Sequence, residues 1–359
     1  MPDRIVLTGG GTAGHVTPNL ALIPRFKKAG WEVHYIGSHD GIERELAGSL
    51  PGVAYHAIRS GKLRRYFSFR NLTDPFRVTA GVFEAASILR RLRPRIVFSK
   101  GGFVSVPVVA GGWLAHVPVV IHESDLTPGL ANRLSIPLAR TVCTTFPETA
   151  AAIGSKGLHT GPPIRPELLA GSRERGFALC GFDGRRPVLL IMGGSLGARA
   201  INEAVDGILP RLTRHFAVAH IRGKGNLNAG LGDRPEYRQY EYLGDELPDI
   251  LACADMVLSR AGANAIWEFA ALRKPMLLVP LPLSASRGDQ IKNARSFSDR
   301  GWAAVLQQEQ MTGDALLDAL LDTWVRRASI REALGAAPQN GLMNLESAIL
   351  EAALASPRG

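Results

Sequence analysis

Short apolar runs alternate with longer helical patterns along most of the chain. The short runs are rich in β-branched residues and leucine, which favours strands. Strands are predicted over residues 4–8, 32–37, 95–99, 117–122, 140–145, 187–192, 216–221, 255–258 and 275–280. Helical patterns lie between most of these runs, and this alternation predicts βαβ units that form parallel sheets.

Two strand–turn–helix segments begin the two halves of the chain in the same way. The first predicted strand runs into a glycine turn at 9–14 and then a helix that Thr17 caps and Pro18 opens. The sixth predicted strand runs into a glycine turn at 193–197 and then another helix. Such turns expose backbone N–H groups at the positive end of a helix, which suits an anion such as a phosphate.

A proline-dense segment at 161–166 separates the two halves. Its composition is unfavourable for both a helix and a central strand. We therefore predict one domain over 1–163 and a second over 164–343. An amphipathic helix at about 344–355 could pack on either domain and is grouped with the first.

The stretch 101–122 contains no Asp, Glu, Lys or Arg, so its length alone would allow a membrane crossing. However, Pro107 and Pro118 interrupt it, together with the glycine pair at 111–112. We predict a helix that begins near Pro107, then a turn, and then a buried strand, because buried parallel strands are continuous apolar runs.

The composition is that of a globular protein, with 359 residues, 46% apolar and 21% charged. A chain of this length favours two domains. The net charge of +10 is uneven, since residues 1–163 hold 19 basic and 10 acidic side chains. Residues 59–95 alone hold ten basic and two acidic side chains. A local charge of this kind indicates an anionic partner, either nucleic acid or an acidic membrane surface.

Three separate cysteines, Cys143, Cys180 and Cys253, form no CxxC pair. Their number and spacing argue against a disulfide framework or a zinc module and suit a reducing cytoplasm. The first residues run directly into a predicted strand, so no signal peptide is expected.

The glycine turn at 9–14 matches the dinucleotide fingerprint GxGxxG. A nicotinamide-binding fold also needs an acidic residue at the end of its second strand, and here Asp40 comes late. His15 lies at the helix mouth, where such a fold has no need of it. NAD binding is therefore disfavoured.

Five segments together are specific. They are GGGTAGHVTPNL (9–20), SKGGFVSVP (99–107), IHESDLTPGLANR (121–133), GGSLGARAIN (193–202) and SRAGANAIWE (259–268). In this order and spacing the chain resembles the MurG family, the N-acetylglucosaminyltransferases that convert lipid I to lipid II. The resemblance implies the GT-B fold, an α/β architecture of two Rossmann-like parallel-sheet domains that face each other across a cleft. It also implies an inverting, UDP-N-acetylglucosamine-dependent hexosyltransferase that forms a β-1,4 link in peptidoglycan synthesis.

The resemblance places the donor, UDP-N-acetylglucosamine, in the second half. Glu268 matches the glutamate that takes the ribose hydroxyls, and a carboxylate is a suitable acceptor for two O–H donors. Gln290 matches the glutamine that binds the sugar hydroxyls. Further candidate residues for uracil, ribose, phosphate or loop shape are Arg165, Ser195, Asn202, Gly244, Arg260, Ala263, Asn264 and Ala265.

The resemblance places the lipid-linked acceptor, lipid I, in the first half. Thr12, Ala13 and Gly14, with the glycine pair at 101–102, would hold its diphosphate. The residues expected near the acceptor sugar are His15, Glu123, Asp125 and Asn132.

The sequence departs from the common family pattern at two positions, with Phe103 in place of Tyr and Asp125 in place of Asn. Because Asp can accept a proton and Asn cannot, the catalytic base stays open. His15 is the first candidate, since its ordinary pKa is near neutrality, and Asp125 and Glu123 are alternatives. The chain has no Asp-x-Asp pair to hold a metal, so no metal or cofactor is expected and helix N-termini with Arg165 would stabilise the leaving UDP.

Basic and aromatic residues alternate over 62–83, from Lys62 to Phe83. One interpretation is a solvated basic loop over core aromatics. The other is docking on the anionic cytoplasmic leaflet of the bacterial membrane, where the aromatics enter the interface and the basic residues contact head groups. We expect a peripheral membrane enzyme of this second kind.

Two other classes of protein were considered. A diacylglycerol glycosyltransferase of the same fold would share the donor half but not the 121–133 segment. A nucleic-acid-binding protein is disfavoured, because no recognition module accompanies the basic residues and no nucleic-acid partner is expected.

Overall fold

A computed structural model describes residues 2–61, 70–194, 197–232 and 234–355, with the backbone alone for 70–75. The chain forms two compact units. Unit 1 comprises Met1–Pro163 and Asn340–Gly359, and unit 2 comprises Ile164–Gln339. Residues 340–343, which the sequence placed with the second domain, therefore group with unit 1.

Unit 1 is built on a parallel sheet of seven strands, counted over the described residues. The strands are β1 (Arg4–Thr8), β2 (Glu32–Ser38), β3 (Val53–Ile58), β4 (Ile96–Ser99), β5 (Val119–Glu123), β6 (Thr141–Thr144) and β7 (Gly157–His159). Their order is β3-β2-β1-β4-β5-β6-β7. The interior strands are largely buried because helices cover both faces of a parallel sheet, and they include the buried polar residues His34, His122 and Glu123.

Helices connect these strands as the alternating pattern predicts. They are α1 (Thr17–Lys28), α2 (Ile42–Gly48), α3 (Arg70–Leu92), α4 (Ser105–Leu114), α5 (Leu130–Ser135) and α6 (Pro147–Ile153). The uncharged stretch 101–122 forms α4, a turn and β5, as predicted from its prolines and glycines. Among the described helices, none has both the length and the apolar character that a membrane crossing requires.

The start of α1 differs from the prediction. Thr17 is the first helical residue rather than the cap, and the cap position belongs to Val16. A single 3₁₀ turn over Ala13–His15 precedes the helix and accounts for this shift. The Thr17 hydroxyl instead donates a hydrogen bond to the Ala13 carbonyl, at 2.7 Å.

Unit 2 has the same architecture, with a parallel sheet of six strands in the part of the chain that is described. The strands are β8 (Val188–Met192), β9 (Ala217–Ile221), β10 (Tyr237–Tyr240), β11 (Met256–Ser259), β12 (Met276–Leu278) and β13 (Ala304–Val305), in the order β10-β9-β8-β11-β12-β13. The helices are α7 (Pro166–Leu169), α8 (Arg173–Cys180), α9 (Arg199–Leu212), α10 (Leu247–Cys253), α11 (Ala263–Ala271), α12 (Asp289–Asp299), α13 (Gly313–Val325) and α14 (Arg327–Ala333). Two Rossmann-like parallel-sheet units are thus confirmed.

The last helix, α15 (Leu342–Leu354), returns to unit 1. Leu345 and Ile349 are fully buried in the core that also contains residues of α1, β1 and β4. An ion pair joins Arg25 Nε of α1 to Glu346 Oε2 at 2.5 Å. The apolar face of this helix therefore completes the core of unit 1.

Candidate active site

In each sheet, the strands that follow the first strand along the chain are added first on one side of it and then on the other. A glycine turn follows this first strand in both units. In unit 1, β2 and β3 lie on one side of β1, whereas β4 lies on the other. In unit 2, β9 and β10 lie on one side of β8, whereas β11 lies on the other. Ligands of open parallel sheets bind beyond the carboxyl ends of the strands at such points. The two glycine turns therefore mark one candidate loop cluster in each unit.

In unit 1 the turn after β1 contacts the turn after β4 through backbone atoms. The Gly10 N–H points to the Gly101 carbonyl, with 3.4 Å between nitrogen and oxygen. A Cβ on Gly102 would lie 2.2 Å from the Gly10 carbonyl oxygen, and Gly102 has a left-handed φ of 87°. A side chain at Gly102 would therefore separate the two turns, which explains why glycine occupies this position.

The four residues Thr12 to His15 form the mouth of α1. Thr12 is exposed, and Ala13, Gly14 and His15 are half-buried. The Thr12 hydroxyl lies 2.9 Å from His15 Nδ1, within hydrogen-bond distance. This contact orients the imidazole of the first candidate base.

Burial, together with the nearby ammonium group of Lys100, lowers the pKa of His15 to about 4. The imidazole is therefore neutral at physiological pH. A neutral imidazole has one ring nitrogen available to accept a proton, which is the form a general base requires.

Glu123 lies at the carboxyl end of β5 and orders the loop that follows. Its carboxylate accepts hydrogen bonds from the Asp125 N–H at 2.9 Å, the Gly129 N–H at 3.0 Å and the Asn132 side-chain amide at 2.8 Å. Burial and the adjacent Asp125 raise the pKa of Glu123. These three bonds fix the loop that carries half-buried Asp125, so the geometry favours a supporting role for Glu123 and Asn132.

A buried lysine, Lys100, follows β4 directly and was missed by the sequence analysis. Its ammonium group donates a hydrogen bond to the Ser124 hydroxyl. Burial lowers its pKa to about 8, although Glu123 and Asp125 oppose that shift. The sequence offered one indication, because Lys100 is the charged residue of the 99–107 segment and follows a predicted strand.

In unit 2 the loop after β8 leads into α9. Ser195, the candidate phosphate contact in this loop, lies outside the described residues. Asn202 is buried below the loop and donates to the Arg222 carbonyl at 3.0 Å. Its side-chain oxygen lies 3.0 Å from His220 Nε2. Asn202 therefore supports the loop from the protein interior.

Arg165 and Glu268 form the charged part of the unit 2 cluster. Arg165 precedes α7, and its Nη2 lies 3.4 Å from Glu268 Oε1. The Glu268 side chain is 17% exposed, and burial raises its pKa while Arg165 opposes the shift. Glu268 is the sixth residue of α11, so it is too far from the helix start to be a capping carboxylate.

The remaining candidates of unit 2 shape the loops after β11 and β12. Arg260 is buried and donates to the Val279 carbonyl at 3.0 Å, which ties these two loops together. The Gln290 side-chain oxygen accepts from the Leu281 N–H at 3.0 Å. The other three, at the start of α11, are buried Ala263 and half-buried Asn264 and Ala265.

Gly244 is exposed in the turn before α10. Its N–H donates to Glu246 Oε2 at 3.2 Å.

Over the described residues, no group of three or more His, Cys, Asp or Glu side chains is arranged to hold a metal ion.

Comparison with known proteins identifies the relatives of this chain. Residues 5–144 match the glycosyltransferase family 28 N-terminal domain, and residues 188–340 match the family 28 C-terminal domain. The chain is 56% identical over 321 residues to the UDP-N-acetylglucosamine--N-acetylmuramyl-(pentapeptide) pyrophosphoryl-undecaprenol N-acetylglucosamine transferase of Geobacillus thermodenitrificans. That alignment covers 89% of this chain and 90% of the relative. The enzyme of the same name from Clostridium botulinum is 52% identical, with 92% of each chain covered.

Solved structures give the same result. A crystal structure of MurG from Acinetobacter baumannii matches with a TM-score of 0.76 at 26% identity, over 98% of this chain and 100% of that chain. The calicheamicin glycosyltransferase CalG4 matches with a TM-score of 0.69 at 16% identity, over 99% and 100%, and shows likeness of fold alone. The GT-B fold class is thereby confirmed. The chain belongs to glycosyltransferase family 28 and, within it, to the MurG family.

Proposed function

We propose that this chain transfers N-acetylglucosamine from UDP-N-acetylglucosamine to the muramoyl sugar of lipid I and forms the β-1,4 link of lipid II. The observation that carries this proposal is its identity of 52% and 56% to enzymes named for that transfer, over about nine-tenths of the chain. The loop clusters of the two units add chemistry that suits a diphosphate donor and a diphosphate-linked acceptor.

Unit 2 is the donor unit of this proposal. Glu268 accepts the two ribose hydroxyls, and Arg165 leaves its present partner to bind the donor diphosphate as a charged fork. The ion pair between Arg165 Nη2 and Glu268 Oε1, at 3.4 Å, supports this assignment, because it places both charged side chains together in unit 2. Gln290, held by the Leu281 N–H, presents its amide to the sugar hydroxyls.

Unit 1 is the acceptor unit. The diphosphate of lipid I binds the backbone N–H groups of the two apposed glycine turns and of Thr12, Ala13 and Gly14 at the mouth of α1. His15 and Asp125 then lie beside the acceptor sugar. The backbone contact between Gly10 and Gly102 supports this proposal, because it brings the two turns together beside the mouth of α1. The Gly11 N–H donates to Glu43 Oε2 at 3.1 Å, so a diphosphate at this turn would have to displace that carboxylate.

Transfer follows a single displacement, since the donor sugar is α-linked and the product β-linked. The acceptor hydroxyl oxygen bonds to the anomeric carbon while the bond from that carbon to the UDP oxygen breaks and UDP takes the electron pair. The hydroxyl proton passes to the base, with His15 the first candidate and Asp125 the alternative. Arg165 and the N-terminus of α9 stabilise the charge that grows on UDP.

Docking on an anionic membrane is the second part of the proposal. Residues 62–69, which carry much of the basic aromatic segment, lie outside the described residues. In the described part of α3, Phe76 is 79% exposed and Phe83 is 64% exposed. These residues are seven apart, so they share one face of the helix. Trp113 of α4, which packs beside α3, is 58% exposed.

The exposed rings of Phe76 and Phe83 on α3 and of Trp113 on the neighbouring α4 support a peripheral association with the cytoplasmic leaflet. Aromatic rings favour the membrane interface, and Arg77 on the same helix is exposed and can contact anionic head groups. A polyprenyl-linked acceptor stays in the bilayer, so an enzyme that acts on it needs such a surface.

The direct test of the transfer is UDP release from UDP-N-acetylglucosamine with and without a soluble lipid I analogue. We expect release that depends on the analogue, because the acceptor hydroxyl is the nucleophile. Diacylglycerol in place of the analogue is the control acceptor. Release with diacylglycerol and none with the analogue would overturn the assignment.

Donor recognition is tested with Glu268→Ala. We expect the KM for UDP-N-acetylglucosamine to rise about 10- to 100-fold, since hydrogen bonds to a charged group contribute about 1.5–3 kcal/mol. The matched control is Glu332→Ala, which removes an exposed glutamate of α14 and should leave KM unchanged. An unchanged donor KM in Glu268→Ala would exclude nucleotide recognition by this residue.

The base is tested with His15→Ala and Asp125→Asn. General base catalysis contributes about 10²–10⁴ in rate, so the variant that lacks the base should lose that factor in kcat. Because the pKa of His15 is lowered to about 4, the imidazole stays unprotonated down to that pH. The acidic limb of kcat/KM is then expected below about pH 5 rather than near the ordinary value of about 6.5.

His215→Ala, at an exposed histidine of unit 2, is the control for the His15 variant. A loss of less than about tenfold in the kcat of His15→Ala would remove His15 as the base. The kcat of Asp125→Asn is judged by the same tenfold limit.

Membrane docking is tested with the double change Phe76→Ser and Phe83→Ser. We expect at least about tenfold weaker binding to vesicles that contain anionic lipid, since burying one such ring contributes about 1.5–3 kcal/mol. The kcat on a water-soluble acceptor analogue should stay the same. Val325→Ser, at an equally exposed apolar residue of unit 2, is the control. Vesicle binding that depends on neither the rings nor the anionic lipid would contradict this part of the proposal.

A further inference from the structure

Lys100 occupies an unusual place for a lysine. It follows the central strand β4 and is 2% exposed. Its backbone N–H donates to the Thr8 carbonyl at the end of β1, at 2.9 Å. A Cβ on Gly9 would lie 3.1 Å from the Lys100 Cβ, so the lysine stem packs directly against the first glycine turn.

The ammonium group of Lys100 extends to the loop after β5. It donates to the hydroxyl of Ser124, the residue between Glu123 and Asp125. Lys100 therefore connects the ends of three adjacent strands. Four titratable groups interact electrostatically with its ammonium group, and they are His15, His122, Glu123 and Asp125.

A buried ammonium group is costly for a fold unless it has partners, and removal of one member of a buried charge pair leaves the other member uncompensated. Methionine would fill nearly the same volume as Lys100 but would leave Glu123 and Asp125 without the opposing charge. The charge lies below the loops where the acceptor diphosphate and sugar are expected. This placement indicates a role in the reaction.

We propose that Lys100 is a positioning residue for the transfer: through Ser124 it fixes the loop that carries Asp125, and its charge keeps the base unprotonated until the acceptor hydroxyl delivers its proton. This inference rests on the proposed function. It adds a residue to that function and does not depend on which of His15 and Asp125 is the base.

The direction of the effect is the same for either base. A nearby positive charge favours an ionised aspartate and a neutral histidine, so it lowers the pKa of both. Loss of the charge raises the pKa of the base, and the acidic limb of kcat/KM moves to higher pH.

The experiment compares Lys100→Met with the wild-type protein by kcat, by the KM for each substrate and by the pH profile of kcat/KM. In Lys100→Met we expect kcat to fall at least about tenfold, the lower part of the range for proton-transfer catalysis. The acidic limb should move upward. The donor KM should stay within about twofold, since the donor side chains lie in unit 2.

Two further variants separate the charge from the hydrogen bond. Lys100→Arg keeps a positive charge, so its acidic limb should stay where it is in the wild-type protein. Ser124→Ala removes the hydrogen bond and keeps the charge, so kcat should fall without movement of the acidic limb. Lys28→Met, at an exposed lysine of α1, should change none of these quantities.

A wild-type kcat and pH profile in Lys100→Met would overturn the inference alone. So would a reduced kcat with the acidic limb unmoved, which marks a purely structural role. If Lys100→Met fails to fold, Ser124→Ala decides, and a wild-type kcat in that variant overturns the inference. Failure of the wild-type protein to release UDP with the lipid I analogue overturns the proposed function and this inference together.

Discussion

The close backbone contact between the first two turns of unit 1 is the constraint on which the candidate site depends. Gly10 and Gly102 approach so closely that a Cβ on Gly102 would overlap the Gly10 carbonyl. The contact places the ends of β1 and β4 side by side at the sheet's carboxyl edge, where the Gly11 N–H donates to Glu43 Oε2 at 3.1 Å. His15 follows one turn and Lys100 opens the other, so their mutual electrostatic effect results from the same contact.

Both units hold their functional charges against internal partners when no substrate is bound. In unit 1 the ammonium group of Lys100 is balanced by Glu123 and Asp125, and in unit 2 Arg165 pairs with Glu268. An unpaired buried charge would cost several kcal/mol. These internal partners therefore stabilise the positive side chains without a bound diphosphate. The net charge of +10 is concentrated in residues 59–95, outside these pairs.

Much of the fold was predictable from the apolar pattern, and the strands that it missed have one property in common. The nine predicted strands are all present, whereas the four unpredicted ones, β3, β7, β10 and β13, are the edge strands of the two sheets. Interior parallel strands are buried on both faces and are therefore continuous apolar runs, but an edge strand carries polar residues, as in Tyr237–Tyr240. The motifs place Glu123 and Asp125 at or just after the end of β5 and His15 just before α1, whereas the roles of these residues stay predictions. The burial of Lys100 was not predictable, because it depends on loops that follow three different strands.

The pKa of a candidate base also depends on its neighbours in the fold, and this explains why residue type alone does not identify the base. The ordinary pKa of histidine favours His15, but its pKa in this fold is about 4 because it is buried and because Lys100 is close. An acceptor diphosphate on the adjacent N–H groups brings negative charge to the same place and raises the pKa of the imidazole again. The imidazole would then become a stronger base when the acceptor arrives and stay neutral before it. A histidine therefore suits this position through its neighbours.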